Sequence, residues 1–215
     1  MEGSQLESGL RSEFQVLMTM ENTISSIDYD IFHAINGLTG RSAIIDALMV
    51  GCAKYLPIVF ALALVALWLT WKPNNQRVAL LAGVSALIAL GVGQLIGYVL
   101  PRPRPYLAHP VNLLISRSAD TSFPSDHATL GFAVAVMVWQ YNRRMGAWLL
   151  VLAFVLAFAR VFVGAHYPSD VLGGAVLGAL TSLLIATLSQ RPPVRRVLDR
   201  GFGHLARWHL AAQPK

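Results

Sequence analysis

Five long apolar runs dominate the chain: approximately Tyr55 to Trp71, Val78 to Leu100, His127 to Tyr141, Gly146 to Gly164 and Val171 to Ser189. A hydrocarbon layer about 30 Å thick takes roughly 20 apolar residues as helix, and within it every backbone polar group must be satisfied inside the segment. The runs therefore predict an all-α fold, a polytopic transmembrane helix bundle of about five spans. Composition agrees, with 55% hydrophobic and only 13% charged residues, against about 25% charged in ordinary soluble domains. The third run is short. Starting its helix near Phe123 or Pro124 restores the length and puts Ser125, Asp126 and His127 in the first turn, at the membrane edge.

Ahead of the first span, Ile27 to Leu38 and Ile44 to Met49 carry apolar residues at helical spacing among polar ones, a pattern of interfacial helices. Residues 1–26 read as a flexible polar tail without the pattern of a signal peptide, and Met18 or Met20 is an alternative start. The chain divides into that tail, a membrane domain over 27–190 and a basic tail over 191–215.

Short cytoplasmic loops are enriched in Lys and Arg. Lys72 and Arg77, then Arg143 and Arg144, then the arginines from Arg191 onward mark one side as cytoplasmic, while the acidic segment before Ser42 falls outside. The net charge of +6 thus reflects topology and contact with anionic membrane lipids; no nucleic-acid motif accompanies it. Cys52 is the only cysteine, which excludes an intramolecular disulfide.

On the outer side two loops concentrate reactive groups. Pro101 to Pro124 carries Arg102, Arg104, His109 and Arg117, and leads into Ser125, Asp126 and His127. The alternating prolines of Pro101-Arg102-Pro103-Arg104-Pro105 forbid regular helix and present guanidinium groups, whose planar forks suit phosphate oxygens. Pro124-Ser125-Asp126-His127 has the composition of a helix start, where free N–H groups and the helix dipole attract anions. His166 and Asp170 straddle Pro168 at the last helix start, so that the carboxylate can accept a hydrogen bond from one ring nitrogen and fix the tautomer. Arg160 lies inside an apolar run; an ionisable residue there marks a functional cavity unless it snorkels to the headgroups. A zinc site of His127, His166 and Asp170 has suitable ligand types but no supporting spacing.

These residues together resemble the type 2 phosphatidic acid phosphatase superfamily, whose three blocks are Lys-x6-Arg-Pro, Pro-Ser-Gly-His and Ser-Arg-x5-His-x3-Asp. Block two stands here as Pro124-Ser125-Asp126-His127, with Asp126 for Gly. Block three stands as Ala159-Arg160, His166 and Asp170, with Ala159 for Ser. Block one keeps Arg104-Pro105, but Gly97 occupies the place of the Lys, and Arg102 or Gln94 is a candidate substitute. The flanking residues are most similar to the bacitracin-resistance branch of undecaprenyl-diphosphatases.

The resemblance implies catalysis by His166 as nucleophile through a phosphohistidine, with Asp170 orienting it and His127 protonating the leaving oxygen. It implies a phosphate cradle of Arg104, Arg160, Ser125, Asp126 and Arg102, without metal or cofactor. The implied substrate is a polyprenyl diphosphate lipid, cleaved on the extracytoplasmic face of a bacterial inner (plasma) membrane. Phosphatidate, phosphatidylglycerophosphate or a lipid A phosphate is the alternative substrate. A lipid-binding or transport bundle without catalysis is the alternative from another class.

Overall fold

The computed structural model describes residues 23, 25–118 and 120–211, with side chains described up to residue 202; residues 1–22 of the expected tail, Met18 and Met20 included, lie outside it. The described residues are helical throughout their regular structure: α1 (residues 25–36), α2 (Ala43–Trp68), α3 (Pro73–Val99), α4 (Pro105–Ala108), α5 (Asp126–Tyr141), α6 (Arg143–Phe162), α7 (Pro168–Ser189) and α8 (Pro192–Ala211).

Four helices, α2, α3, α6 and α7, are long and apolar enough to cross a membrane. The fifth expected span, α5, has 16 residues, about 24 Å at 1.5 Å per residue. It is also the axis of the bundle. Ala128, Ala133, Ala135 and Met137 are completely buried, and α3, α6 and α7 pack around it. Lipid is met instead by the outer helices, through side chains such as Leu62, Leu87, Phe154 and Leu180.

The first span differs from its expected start. Ile44 to Met49, read as a separate interfacial segment, form the opening turns of α2, which runs unbroken through Lys54 and Pro57. Among the described residues α1 is the one separate helix before α2, and it packs against the end of the bundle that carries the α6–α7 turn. Phe32 is 1% exposed against the Tyr167 ring. Asn36 donates to the carbonyls of Asn112 and Phe162 at 2.9 and 2.8 Å and accepts from the Asn112 N–H at 3.0 Å. The basic tail is also helical: α8 is fixed to the opposite end by Arg77 with Asp199 at 3.1 Å and by Phe202 against Trp68.

Lipid tails are as apolar as Leu, so helix association in a bilayer relies on close packing and hydrogen bonds rather than on hydrophobic burial. The α5–α7 contact meets that requirement. A Cβ at Gly174 would stand 2.5 Å from the Ser125 carbonyl oxygen, and one at Gly178 would stand 2.3 Å from the Thr129 carbonyl oxygen. Four residues on, Ser182 donates to the Ala133 carbonyl at 2.6 Å. The Gly174-x3-Gly178 spacing thus lets two backbones touch.

Gly178→Ala should destabilise the folded protein by about 1–3 kcal/mol, since backbone and not a movable side chain blocks the added methyl. Gly83→Ala, at a position where the added carbon meets nothing within 4 Å beyond its own stretch of helix, is the control. Thermal unfolding in detergent should show a lowered midpoint for the first variant alone.

Candidate functional site

The α5–α7 contact brings two helix starts side by side, and the Ser125 N–H donates to the Asp170 carbonyl at 3.0 Å. Ser125 is the N-cap of α5, but its side chain caps nothing. It is fully buried, and its hydroxyl has no partner among the described residues. The first amides of α5 are the usual unpaired donors of a helix start. His127 lies in this first turn, within electrostatic reach of His166, Arg104 and Arg160.

Arg160 occupies the last turn of α6, 7% exposed, with an Nε that likewise has no partner among the described residues. It is therefore not snorkelling. Beyond it the chain turns at Gly164, whose φ of +83° is the left-handed conformation that glycine adopts without strain. A Cβ there would stand 3.0 Å from the Asn112 carbonyl oxygen. This turn carries His166 inward, to 2% exposure.

The hydrogen bonds around His166 define its tautomer. Nδ1 lies 2.9 Å from the Ser122 carbonyl, which can only accept, so Nδ1 carries the proton. Nε2 is 3.2 Å from Arg104 Nη1, which can only donate, so Nε2 carries the lone pair. Asp170 Oδ2 stands 3.8 Å from Nδ1, a charge contact beside the ring. The expected carboxylate acceptor is thus replaced by a main-chain carbonyl, with Asp170 held close by the Ser122 hydroxyl at 2.5 Å and the Tyr167 N–H at 2.8 Å. Burial pushes the His166 imidazole down to about 4; Asp170 works against this, while the charges of Arg160 and Arg104 add to it. The ring is neutral at physiological pH.

Arg104 is 4% exposed and also donates to the Ala165 carbonyl at 3.2 Å. Its outer nitrogen holds Asp120 Oδ2 at 2.9 Å. Burial opposes ionisation of Asp120, but the Ser118 hydroxyl and the Arg104 charge hold its carboxyl below the usual range. Asp120 is the exposed member of the pair, with 46% of its side chain exposed against 5% for Arg104.

Two expected cradle residues face elsewhere. Arg102 donates from Nη1 to Asp170 Oδ1 and from Nη2 to Asp28 Oδ2, both at 2.6 Å, so its fork is filled by carboxylates. Burial works against its charge, yet Asp170 and Asp28 raise its pKa further. Asp126 is half-buried and accepts from Gln94 Nε2 at 2.9 Å. Its carboxylate is bound to α3, leaving only its backbone amide as a possible anion donor. Gly97 is no gap awaiting a cation. A Cβ there would meet Thr121 Oγ1 at 2.6 Å and the Phe123 carbonyl at 3.1 Å, so the loop itself fills that space. Sequence reasoning missed Asp28, Asp120 and Ser122, which belong to no recognised block. Among the described residues no three His, Cys, Asp or Glu groups lie together as a metal site requires.

Buried cations, a hydroxyl with no partner among the described residues and a helix start converge at one end of the bundle around a buried imidazole. Residues 78–192 match the sequence profile of the PAP2 superfamily. Undecaprenyl-diphosphatase BcrC of Bacillus subtilis is 37% identical over 163 residues, covering 76% of this chain and 84% of that protein. Bacitracin transport permease protein BcrC of Bacillus licheniformis is 33% identical over 164 residues, covering 76% and 81%. The crystal structure of Aquifex aeolicus LpxE superposes with a TM-score of 0.61 over 74% of this chain and 94% of that one, at 24% identity. The chain belongs to the PAP2 superfamily, and it is a membrane lipid phosphatase.

Replacing Asp120 by Asn should free the outer face of Arg104. Inorganic phosphate should then bind about threefold to tenfold more tightly by calorimetry, roughly the 1 kcal/mol of a partly exposed charge contact.

Proposed function

We propose that the protein hydrolyses undecaprenyl diphosphate to undecaprenyl phosphate and inorganic phosphate at the extracytoplasmic face of the plasma membrane. The observation that carries this reading is the His166 ring, with Nδ1 protonated toward Ser122 and the Nε2 lone pair presented beside Arg104. A neutral imidazole with its lone pair aimed into a cationic pocket is the arrangement that attack on phosphorus needs.

His166 Nε2 forms a bond to the terminal phosphorus as the bond from phosphorus to the bridging oxygen breaks. His127 gives a proton to that departing oxygen. Water then attacks the phosphohistidine while His127 takes its proton, releasing phosphate and restoring both rings. Arg104, Arg160, the Ser125 hydroxyl and the first amides of α5 hold the equatorial oxygens, and the unpaired Ser125 Oγ and Arg160 Nε are donors already placed for that charge.

The orientation rests on Lys72, Arg77, Arg143, Arg144 and the basic start of α8, all at the end opposite the site. The substrate assignment rests on likeness to the Bacillus subtilis undecaprenyl-diphosphatase. It agrees with a site at the end of a lipid-facing bundle, where a prenyl tail stays in the bilayer.

Phosphate release from undecaprenyl diphosphate, phosphatidate, phosphatidylglycerophosphate and a lipid A phosphate tests both substrate and reaction. The first should be preferred, and His166→Ala should lower its kcat at least about a thousandfold with folding retained. Preference for another lipid overturns the substrate; lipid movement without phosphate release favours the transport reading. With ionisation of the substrate and protonation of the acid His127 accounted for, the loss of kcat/KM caused by the nucleophile should be absent as pH falls through 6.5 and set in only near about 4, where His166 takes a proton. A decline beginning at 6.5 would contradict the buried nucleophile.

A further inference from the structure

Asp28 stands on α1, far from the matched family segment in sequence and outside every recognised block. It is nonetheless buried, at 7% exposure, among groups that surround the proposed nucleophile. Burying a lone carboxylate is costly unless charge and hydrogen bonds compensate it. Here they do. Asp28 Oδ1 accepts the Ser169 backbone N–H at 2.9 Å, and Oδ2 accepts the Ser169 hydroxyl and Arg102 Nη2, each at 2.6 Å.

Two consequences follow from that geometry. Ser169 is in the first turn of α7, so Asp28 caps that helix from across 141 positions of sequence and occupies its positive end. The α7 start is therefore already occupied, whereas no side chain caps the α5 start at Ser125. Arg102, in turn, is held between two carboxylates. Its Nη1 reaches both Ser169 Oγ and Asp170 Oδ1 at 2.6 Å, and its guanidinium lies 4.1 Å from the Tyr167 ring centre. Asp170 is thereby fixed on both oxygens, by Arg102 on one side and by Ser122 and Tyr167 on the other. That fixed carboxylate is the one beside His166 Nδ1.

We propose that Asp28 is a positioning residue for phosphoryl transfer: through Arg102 and the first turn of α7 it holds the Asp170 carboxylate against His166 as the ring gains positive charge. Asp28 touches no reacting atom. The proposal makes α1 part of the catalytic end rather than a membrane-surface appendage, and assigns Arg102 to the support of Asp170 instead of to the substrate. It rests on His166 being the nucleophile.

Preorganisation of this kind matters more as charge develops than in the resting complex, so its loss should separate transition-state from ground-state binding. The test uses full-length protein in lipid-detergent micelles. Asp28→Asn should lower kcat about tenfold to a hundredfold with KM within about twofold, and Asp28→Glu should recover part of the loss. Combined with Arg102→Gln, Asp28→Asn should add little further loss, because both act through one carboxylate. Orthovanadate, which can bond to an imidazole as a five-coordinate mimic, should bind at least about tenfold more weakly to Asp28→Asn, while inorganic phosphate changes less than about twofold.

Wild-type kcat and vanadate affinity in the variant would overturn the proposal, as would a raised KM with unchanged kcat. Should Asp28→Asn fail to fold, Ser169→Ala removes only the hydroxyl bridging Asp28 and Arg102, and a threefold to tenfold lower kcat is expected; unchanged kcat and vanadate binding there would be equally fatal. A wild-type protein that released no phosphate from any lipid would instead defeat the substrate reading, while the comparison of vanadate with phosphate still decides the role of Asp28.

Discussion

The contact of the α5 and α7 backbones is the constraint on which the rest of this structure depends. Gly174 and Gly178 provide it by having no side chain where the Ser125 and Thr129 carbonyls pass. In a bilayer the gain from such an approach is dispersion and hydrogen bonding, which need matched surfaces at short range. The result is functional as well as structural. Two helix starts are brought level, joined by the bond from the Ser125 N–H to the Asp170 carbonyl, and the residues they carry share one pocket. Neither helix could present its half of the site at this spacing with larger residues in the seam.

Charge is distributed across that pocket according to what already satisfies it. Arg102 is saturated by Asp28 and Asp170 and belongs to the scaffold. Arg104 divides its fork between His166 and the half-exposed Asp120, and Arg160 keeps a buried nitrogen with no partner among the described residues. The arginine that touches the imidazole is thus Arg104, while Arg102 reaches it only through Asp170. Burying like charges together is unfavourable for the empty protein and favourable once an anion arrives, and Asp120 is the one carboxylate that already offsets part of that charge at Arg104.

Much of this was legible in the sequence because it depends on local pattern. Apolar runs gave α3, α6 and α7, whereas the third run, expected to reach full length by starting near Phe123 or Pro124, starts only at Asp126 and is buried as the bundle axis. The short separations Arg160 to His166 and His166 to Asp170 survive as one turn and one helix start, so block three could be read directly. What escaped depends on partners distant in sequence. Asp28 pairs with residues 74 and 141 positions away, and Ser122 meets Asp170 at a separation of 48. A carboxylate at the end of an ordinary amphipathic helix gives no local sign of such a partner. The missing lysine at Gly97 likewise made sense only in three dimensions, as packing space taken by Thr121 and Phe123. The start of α2 was misplaced because Asp46 and Lys54 interrupt its hydropathy without interrupting its hydrogen bonds.

The central claim is that phosphorus becomes bonded to one particular nitrogen. Rapid quenching of the protein during turnover of undecaprenyl diphosphate, followed by tandem mass spectrometry under alkaline conditions, would locate that bond. The account predicts an acid-labile, alkali-stable phosphate on His166 that forms as fast as turnover requires and disappears when substrate is exhausted. Phosphate found on His127 instead, or full turnover with no phosphorylated residue detectable at any time, would contradict it.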